Sequence, residues 1–223
     1  MQIDYCGHSC FKIVTKPEVD KDKVTIFIDP FDENTFGKDA KIKPPHGKAD
    51  LVLVTHDHHD HNNVSALQGT HFLINSPGEY TFRGVGVAGI QTYHDDQEGK
   101  LRGLNTVYVL ESENVRIGHL GDLGHPLSKL QLDKFGEVDI LILPVGGKYT
   151  IGSKEAVNVV KSIEPAMVIA MHYNVPGIKI EGLAEVSAFY KELGIKPQEK
   201  LANLKIKKDM FKEEEMKVVE LEI

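Results

Sequence analysis

The densest chemistry in the chain is Thr55-His56-Asp57-His58-His59-Asp60-His61, where four of the eleven histidines sit among two aspartates. Imidazole nitrogen and carboxylate oxygen are the donor set expected for zinc, with manganese or iron as alternatives. His56 and His58 are two apart, so in an extended turn both point one way. Asp60 and His61 come directly after, where the chain bends towards a helix, and can face a second ion. Asp57 and His59 then point elsewhere. The competing reading is a solvated polar turn or an adventitious nickel binder. Context favours the metal site, because the wholly apolar Leu51-Val52-Leu53-Val54 runs straight into the cluster, as a strand buried on both faces does.

Three further groups stand at the ends of apolar or strand-like runs. His94 follows Val85–Tyr93, Asp122 lies in the loop GDLGH at 121–125, and His172 closes Ala166–Met171. Loops at strand ends are where rigid scaffolds present functional side chains.

The elements that must hold these groups can be read from periodicity. Strands are expected at Cys10–Val14, Val24–Ile28, Leu51–Val54, His71–Ile74, Val85–Tyr93, Val138–Val145 and Ala166–Met171, and in the tail at Leu204–Ile206 and Val218–Leu221. Asn75–Gly78 reads as a turn, and Thr106–Glu111 with Val115–His119 as a hairpin. Asn62 or Asn63 is placed to cap a short helix through Leu67. Ala156, Val159, Val160 and Ile163 fall at helical spacing and predict a helix over 153–163; Leu183, Val186, Phe189 and Tyr190 mark another. Residues 31–48 read as a polar loop and 212–217 as a charged, solvated turn. The order of elements predicts two mixed sheets face to face with helices outside, in a single domain over residues 1–223 without repeats or linker.

Composition narrows the function. The 223 residues are 41% hydrophobic, enough for a well-buried core. Asp and Glu number 33 against 26 Lys and Arg, a net charge of −7 that disfavours nucleic-acid binding through overall charge. The two cysteines, Cys6 and Cys10, are expected as reduced thiols on one side of a strand, too far apart to bridge. MQIDYCGHSCF has neither a basic nor an apolar leader region, and no apolar run has the length of a membrane span. The expectation is a cytoplasmic protein acting on a small molecule, away from membranes, with homo-oligomerisation left open.

His56-x-His58-x-Asp60-His61 resembles the H-x-H-x-D-H signature of the metallo-β-lactamase-fold hydrolases, and the later motifs follow in that superfamily's order along nearly the whole chain. The resemblance implies an α/β fold, the αββα four-layer sandwich with two mixed sheets. It implies a metal site in which His56, His58 and His94 hold one ion and Asp60, His61 and His172 the other. Asp122 bridges them, and Asp29 in IDP props the histidine loop. The implied cofactors are two divalent ions, zinc first, with Mn2+ or Fe2+ as alternatives. The implied reaction is hydrolysis by a metal-bridged hydroxide, with Asp60 and Asp122 catalytic and His119 either beside the site as a proton donor or substrate contact or a strand histidine with a satisfied hydrogen bond. GHSCF at 7–11, HLGDLG and PVGGKYT at 144–150 are similar to the ascorbate-6-phosphate lactonase-like branch.

Departures from the pattern remove other branches. The chain has no room for a β-CASP insertion, a glutathione-thioester helical domain, a basic tRNA arm or a flavodoxin domain. What remains is a small, anionic ester, lactone or phosphodiester as substrate. Lys148 and Tyr149 could reach such an anion, or simply form a glycine-bounded turn. His8 is equally a site residue or a satisfied strand histidine, His125 reads as a loop former, and His46, His59 and His71 as surface or structural. A second functional class is a non-catalytic member of the fold with a structural ion, binding a metabolite or a protein.

Overall fold

The computed structural model describes residues 1–20, 22–32, 34–36, 42–175, 180–197, 200–211 and 215–223. Residues 33 and 37–41 of the expected polar loop, and 212–214 of the expected charged turn, lie outside this description. In chain order the strands are β1 (Gln2–Gly7), β2 (Cys10–Thr15), β3 (Val24–Ile28), β4 (Leu51–Leu53), β5 (Phe72–Ile74), β6 (Gly78–Phe82), β7 (Val85–Tyr93), β8 (Leu104–Ser112) and β9 (Val115–His119). They continue as β10 (Ile140–Pro144), β11 (Met167–Met171), β12 (Lys200–Leu201), β13 (Leu204–Lys205) and β14 (Lys217–Leu221). The helices are α1 (Lys129–Phe135), α2 (Ser153–Ile163) and α3 (Val186–Leu193).

Among the described residues these strands form two mixed sheets. One has the order β13-β1-β2-β3-β4-β5, the other β12-β14-β11-β10-β9-β8-β7-β6. In the first, β1, β2 and β3 meander antiparallel, then β4 and β5 add parallel to β3. In the second, β6 to β9 are antiparallel, then β9, β10, β11 and β14 run parallel. The central strands β4, β10 and β11 are buried at every position. That is why they read as unbroken apolar runs rather than alternating ones.

The sheets lock together by hydrogen bonds at the edge that carries the polar groups. Thr106 N–H donates to Thr55 O at 2.8 Å, Tyr108 Oη to Val54 O at 2.9 Å, and His172 N–H to His8 O at 2.9 Å. The helices are few and pack on the second sheet, α1 against β7 and α2 against β10 and α3. In α2 the residues Ala156, Val159, Val160 and Ile163 are all buried, so the apolar stripe is its core face.

Several expectations need correction. Cys6 and Cys10 are free, but they lie on β1 and β2 rather than on one strand. Gly7 and His8, at φ +102° and +56°, reverse the chain between them. The helix expected after Asn63 is one 3-10 turn, Val64–Ala66, without a side-chain cap. Strand β6 begins at the last residue of the expected Asn75–Gly78 turn, and α1 was not expected at all.

Candidate metal centre

The 55–61 turn is fixed from beneath by Asp29, which is fully buried at φ +49°. Its Oδ1 accepts the Thr55 N–H at 2.8 Å, and its Oδ2 accepts both the Thr55 hydroxyl at 2.7 Å and His61 Nδ1 at 2.8 Å. This chain of bonds decides a tautomer. The Thr55 hydroxyl gives its only proton to a carboxylate, so at 2.9 Å it must accept from His56 Nδ1–H. His56 Nε2 therefore carries a lone pair into the site. It is buried and has no hydrogen-bond partner among the described residues. A buried nitrogen left so costs about 1–3 kcal/mol unless something takes the lone pair.

The structure draws the expected residues into two adjoining sets. His56, His58 and His94 offer nitrogens within 4.8 Å of one another, and Asp60, His61 and His172 lie equally close, joined there by His8. Asp122 stands between the sets. Its Oδ2 is 3.3 Å from His61 Nε2, 3.3 Å from His94 Nε2 and 3.1 Å from His172 Nε2, while Oδ1 accepts Ser9 Oγ at 3.4 Å. The Asp122 loop is held by buried Asn105, whose Oδ1 accepts the Asp122 N–H and whose Nδ2 donates to Leu120 O. Gly121 is needed there. It sits at φ +53°, and a Cβ would meet Asn105 Oδ1 at 2.4 Å. Gly146 does the same for His172, since a Cβ would lie 2.3 Å from the His172 carbonyl oxygen.

The electrostatics suit a cation. Burial pushes His56 down to about 2 and His8 to about 4, and also lowers His94. These rings are neutral near pH 7, the state that ligates metal. Burial alone would raise Asp122, but His172 and His61 hold it well below the usual carboxylate range. Burial would likewise raise Asp60, yet the His8 hydrogen bond and nearby His61 hold it low. For His61 burial is outweighed by Asp122 and Asp29, which push it well above an ordinary imidazole. A ring that attracts a proton between two carboxylates marks where positive charge is stabilised. Lone pairs aimed inward, ionised carboxylates and neutral imidazoles together fit divalent ions.

His119 stands apart from this group. It is fully buried, with Nε2 donating to Ser9 O at 3.0 Å and Nδ1 accepting the Gly121 N–H at 3.2 Å. Both ring nitrogens are engaged by backbone, which matches the satisfied strand histidine of the two readings and not the proton donor. His125 shapes a loop, accepting the Tyr93 N–H. His59, expected to point elsewhere, is 79% exposed in its side chain but lines the cavity over the cluster, while Asp57 accepts Asn62 Nδ2 away from it. His8 is drawn in: its Nε2 donates to Asp60 Oδ2 at 3.1 Å. Thr55, Asn105 and Arg102 carried no sequence signal of their own.

A cavity of about 410 Å³ opens over the cluster, lined by His58, Asp60, His94, Asp122 and His172 with Arg102, Tyr149 and Ile180 at its walls. A larger groove of about 820 Å³ runs past Gly78, Tyr93 and Gln131 but contains none of the clustered imidazoles. The chemistry belongs to the smaller one.

Comparison with known proteins bears on the family and the fold. A family model described as a beta-lactamase superfamily domain matches residues 2–172. A Thermococcus onnurineus protein named a UPF0173 metal-dependent hydrolase is 31% identical over 200 residues, covering 78% of this chain and 85% of its own. One of the same name from Staphylothermus marinus is 34% identical over 191 residues, covering 77% and 83%. A solved structure from Thermotoga maritima, assigned provisionally as a Zn-dependent hydrolase of the metallo-β-lactamase superfamily, superposes with a TM-score of 0.76 at 34% identity. It covers 99% of this chain and 97% of that one.

Proposed function

The chain belongs to the metallo-β-lactamase superfamily and, within it, to the UPF0173 metal-dependent hydrolase family, and from that premise we propose a hydrolase built on a two-metal, zinc-loaded centre. His56, His58 and His94 would hold one ion, and Asp60, His61 and His172 the other, with Asp122 between them. Bound divalent ions supply an acidified water and polarise the bond under attack. The protein does the rest. Asp60, held on Oδ2 by His8, faces the cavity, where it would orient the attacking water as well as hold its ion. Thr55, Asp29 and Asn105 keep the rings and the Asp122 carboxylate in place. No serine or cysteine nucleophile is required.

The substrate in this reading is small and anionic: an ester, lactone or phosphodiester. The lactonase-like assignment rests on GHSCF, HLGDLG and PVGGKYT, and the cytoplasmic one on two free cysteines. No described helix is long and apolar enough to cross a membrane.

One observation carries catalysis over a structural ion. The cluster floors an open cavity, with Asp60 and His58 on its wall, where a structural site would be closed by its ligands. The test is metal analysis of protein purified without a histidine tag, followed by a panel of phosphodiesters, lactones and thioesters with zinc and with manganese. About two ions per chain and hydrolysis of at least one class are expected, with hydrolysis lost in Asp122→Ala. Less than one tightly bound ion, with no loss of stability in chelator, would overturn the reading.

A further inference from the structure

Among the described residues a single guanidinium stands on the wall of the metal cavity, across from Asp60 and Asp122. The chain carries a net charge of −7, yet Arg102 lines this cavity beside Tyr149. The Arg102 guanidinium carbon lies 5.5 Å from the centroid of the Tyr149 ring, and Lys148 Nζ is 5.6 Å from the same centroid. Among the described residues neither cation has a carboxylate partner, whereas Arg83 is paired with Asp20 and Asp50, and Arg116 with Glu111. Asp95, whose carboxylate clasps the loop that carries Arg102, is already committed. Its two oxygens accept the N–H groups of Gln97, Gly99, Leu101 and Arg102 at 2.8–2.9 Å. That clasp sets the backbone from which the Arg102 side chain departs. Gly182 leaves room for the lysine, since a Cβ there would meet Lys148 Cδ at 2.6 Å.

An arginine fixed at its backbone, stacked on an aromatic ring and left without an acid is a preorganised anion receptor. A guanidinium whose only task was to support the fold would be expected to face an acid or a carbonyl, as Arg116 does with Glu111, Glu137 O and Phe135 O. We propose that Arg102, backed by Tyr149 and Lys148, anchors a carboxylate or phosphate of the substrate that is separate from the bond cleaved. Cleavage itself rests on the hydrolase reading above; the anchor does not. The inference explains how an acidic protein would collect an acidic substrate, because the steering field is local to the cavity mouth.

Calorimetric titration of the zinc-loaded full chain with succinate, glutarate and adipate, against butyrate, tests it without turnover. At least one dicarboxylate should bind about tenfold more tightly than butyrate, as a charged hydrogen-bonded contact predicts. Arg102→Gln should erase that difference with metal content, thermal midpoint and butyrate affinity unchanged. Arg102→Lys keeps the charge without the fork and should retain part of it. Equal affinities in the wild type, including no binding at all, or a preference that survives Arg102→Gln, would overturn the proposal. An Arg102-dependent preference in a protein that hydrolyses nothing leaves the anchor standing and removes the hydrolase reading. Hydrolysis with no such preference does the reverse.

Discussion

The two halves of the metal cluster are built to different standards. The set of Asp60, His61 and His172 is held by buried partners, with Asp29 on His61 and His8 on Asp60, and His61 itself fully inaccessible. The set of His56, His58 and His94 is looser. Among the described residues only His56 is braced, by Thr55, while His58 and His94 share the cavity wall with Asp60 and His172. Side chains already ordered lose less conformational freedom when they bind, so the deep set should capture its ion more tightly. The outer set, with one brace among its three rings, should hold its ion less tightly.

That contrast can be broken or sharpened by substitution. The largest effect is expected at the point the sets share. Asp122→Ala removes the carboxylate facing rings of both, and metal analysis by mass spectrometry should find both ions lost after dialysis. Next come changes that should separate the sets. His61→Ala should lose the deep ion and lower the thermal midpoint, while His58→Ala should retain one ion and near-normal stability. If both behave alike, the two sets are not distinct sites. Smaller effects follow from the braces. Thr55→Val frees His56 directly and takes one donor from Asp29, so it should weaken the outer ion most, about tenfold in a competitive zinc titration. Asp29→Asn should weaken both ions, the deep one by about 10–100-fold. The smallest is His59→Ala, which should leave zinc stoichiometry unchanged.

Much of this was legible because the signals were local. Helix 153–163 is found with the bounds its apolar stripe predicts. The buried strand β4 feeds the histidine turn as expected. His94, Asp122 and His172 were found from their places at strand ends, and all three reach the cluster. What was missed depends on tertiary contacts or on weak faces. α1 buries only Phe135 and leaves Leu130 65% exposed, so it shows no stripe. Its legible signal was the Ser128–Gln131 capping box. β6 alternates between half-buried and exposed residues at a sheet edge and is masked by the Pro77-Gly78 turn signal. The role of His8 is set by the reversal at Gly7 and by a bond partner 52 residues away. Arg102 is one arginine in a loop, and only the fold puts it over Tyr149.

The bond from His172 N–H to His8 O has a consequence for timing. It ties the turn between β1 and β2 to the end of β11, so the deep ion pocket closes only when the first residues of the chain meet residues far along it. Contacts this distant in sequence form late, after the slow search that pairs non-local strands. A metal ion should therefore enter a cage already shaped, and would not nucleate the fold as zinc does in a zinc finger. Refolding followed at once by far-ultraviolet circular dichroism and a zinc-sensitive dye should show secondary structure first and ion capture second; capture that led would reverse that order.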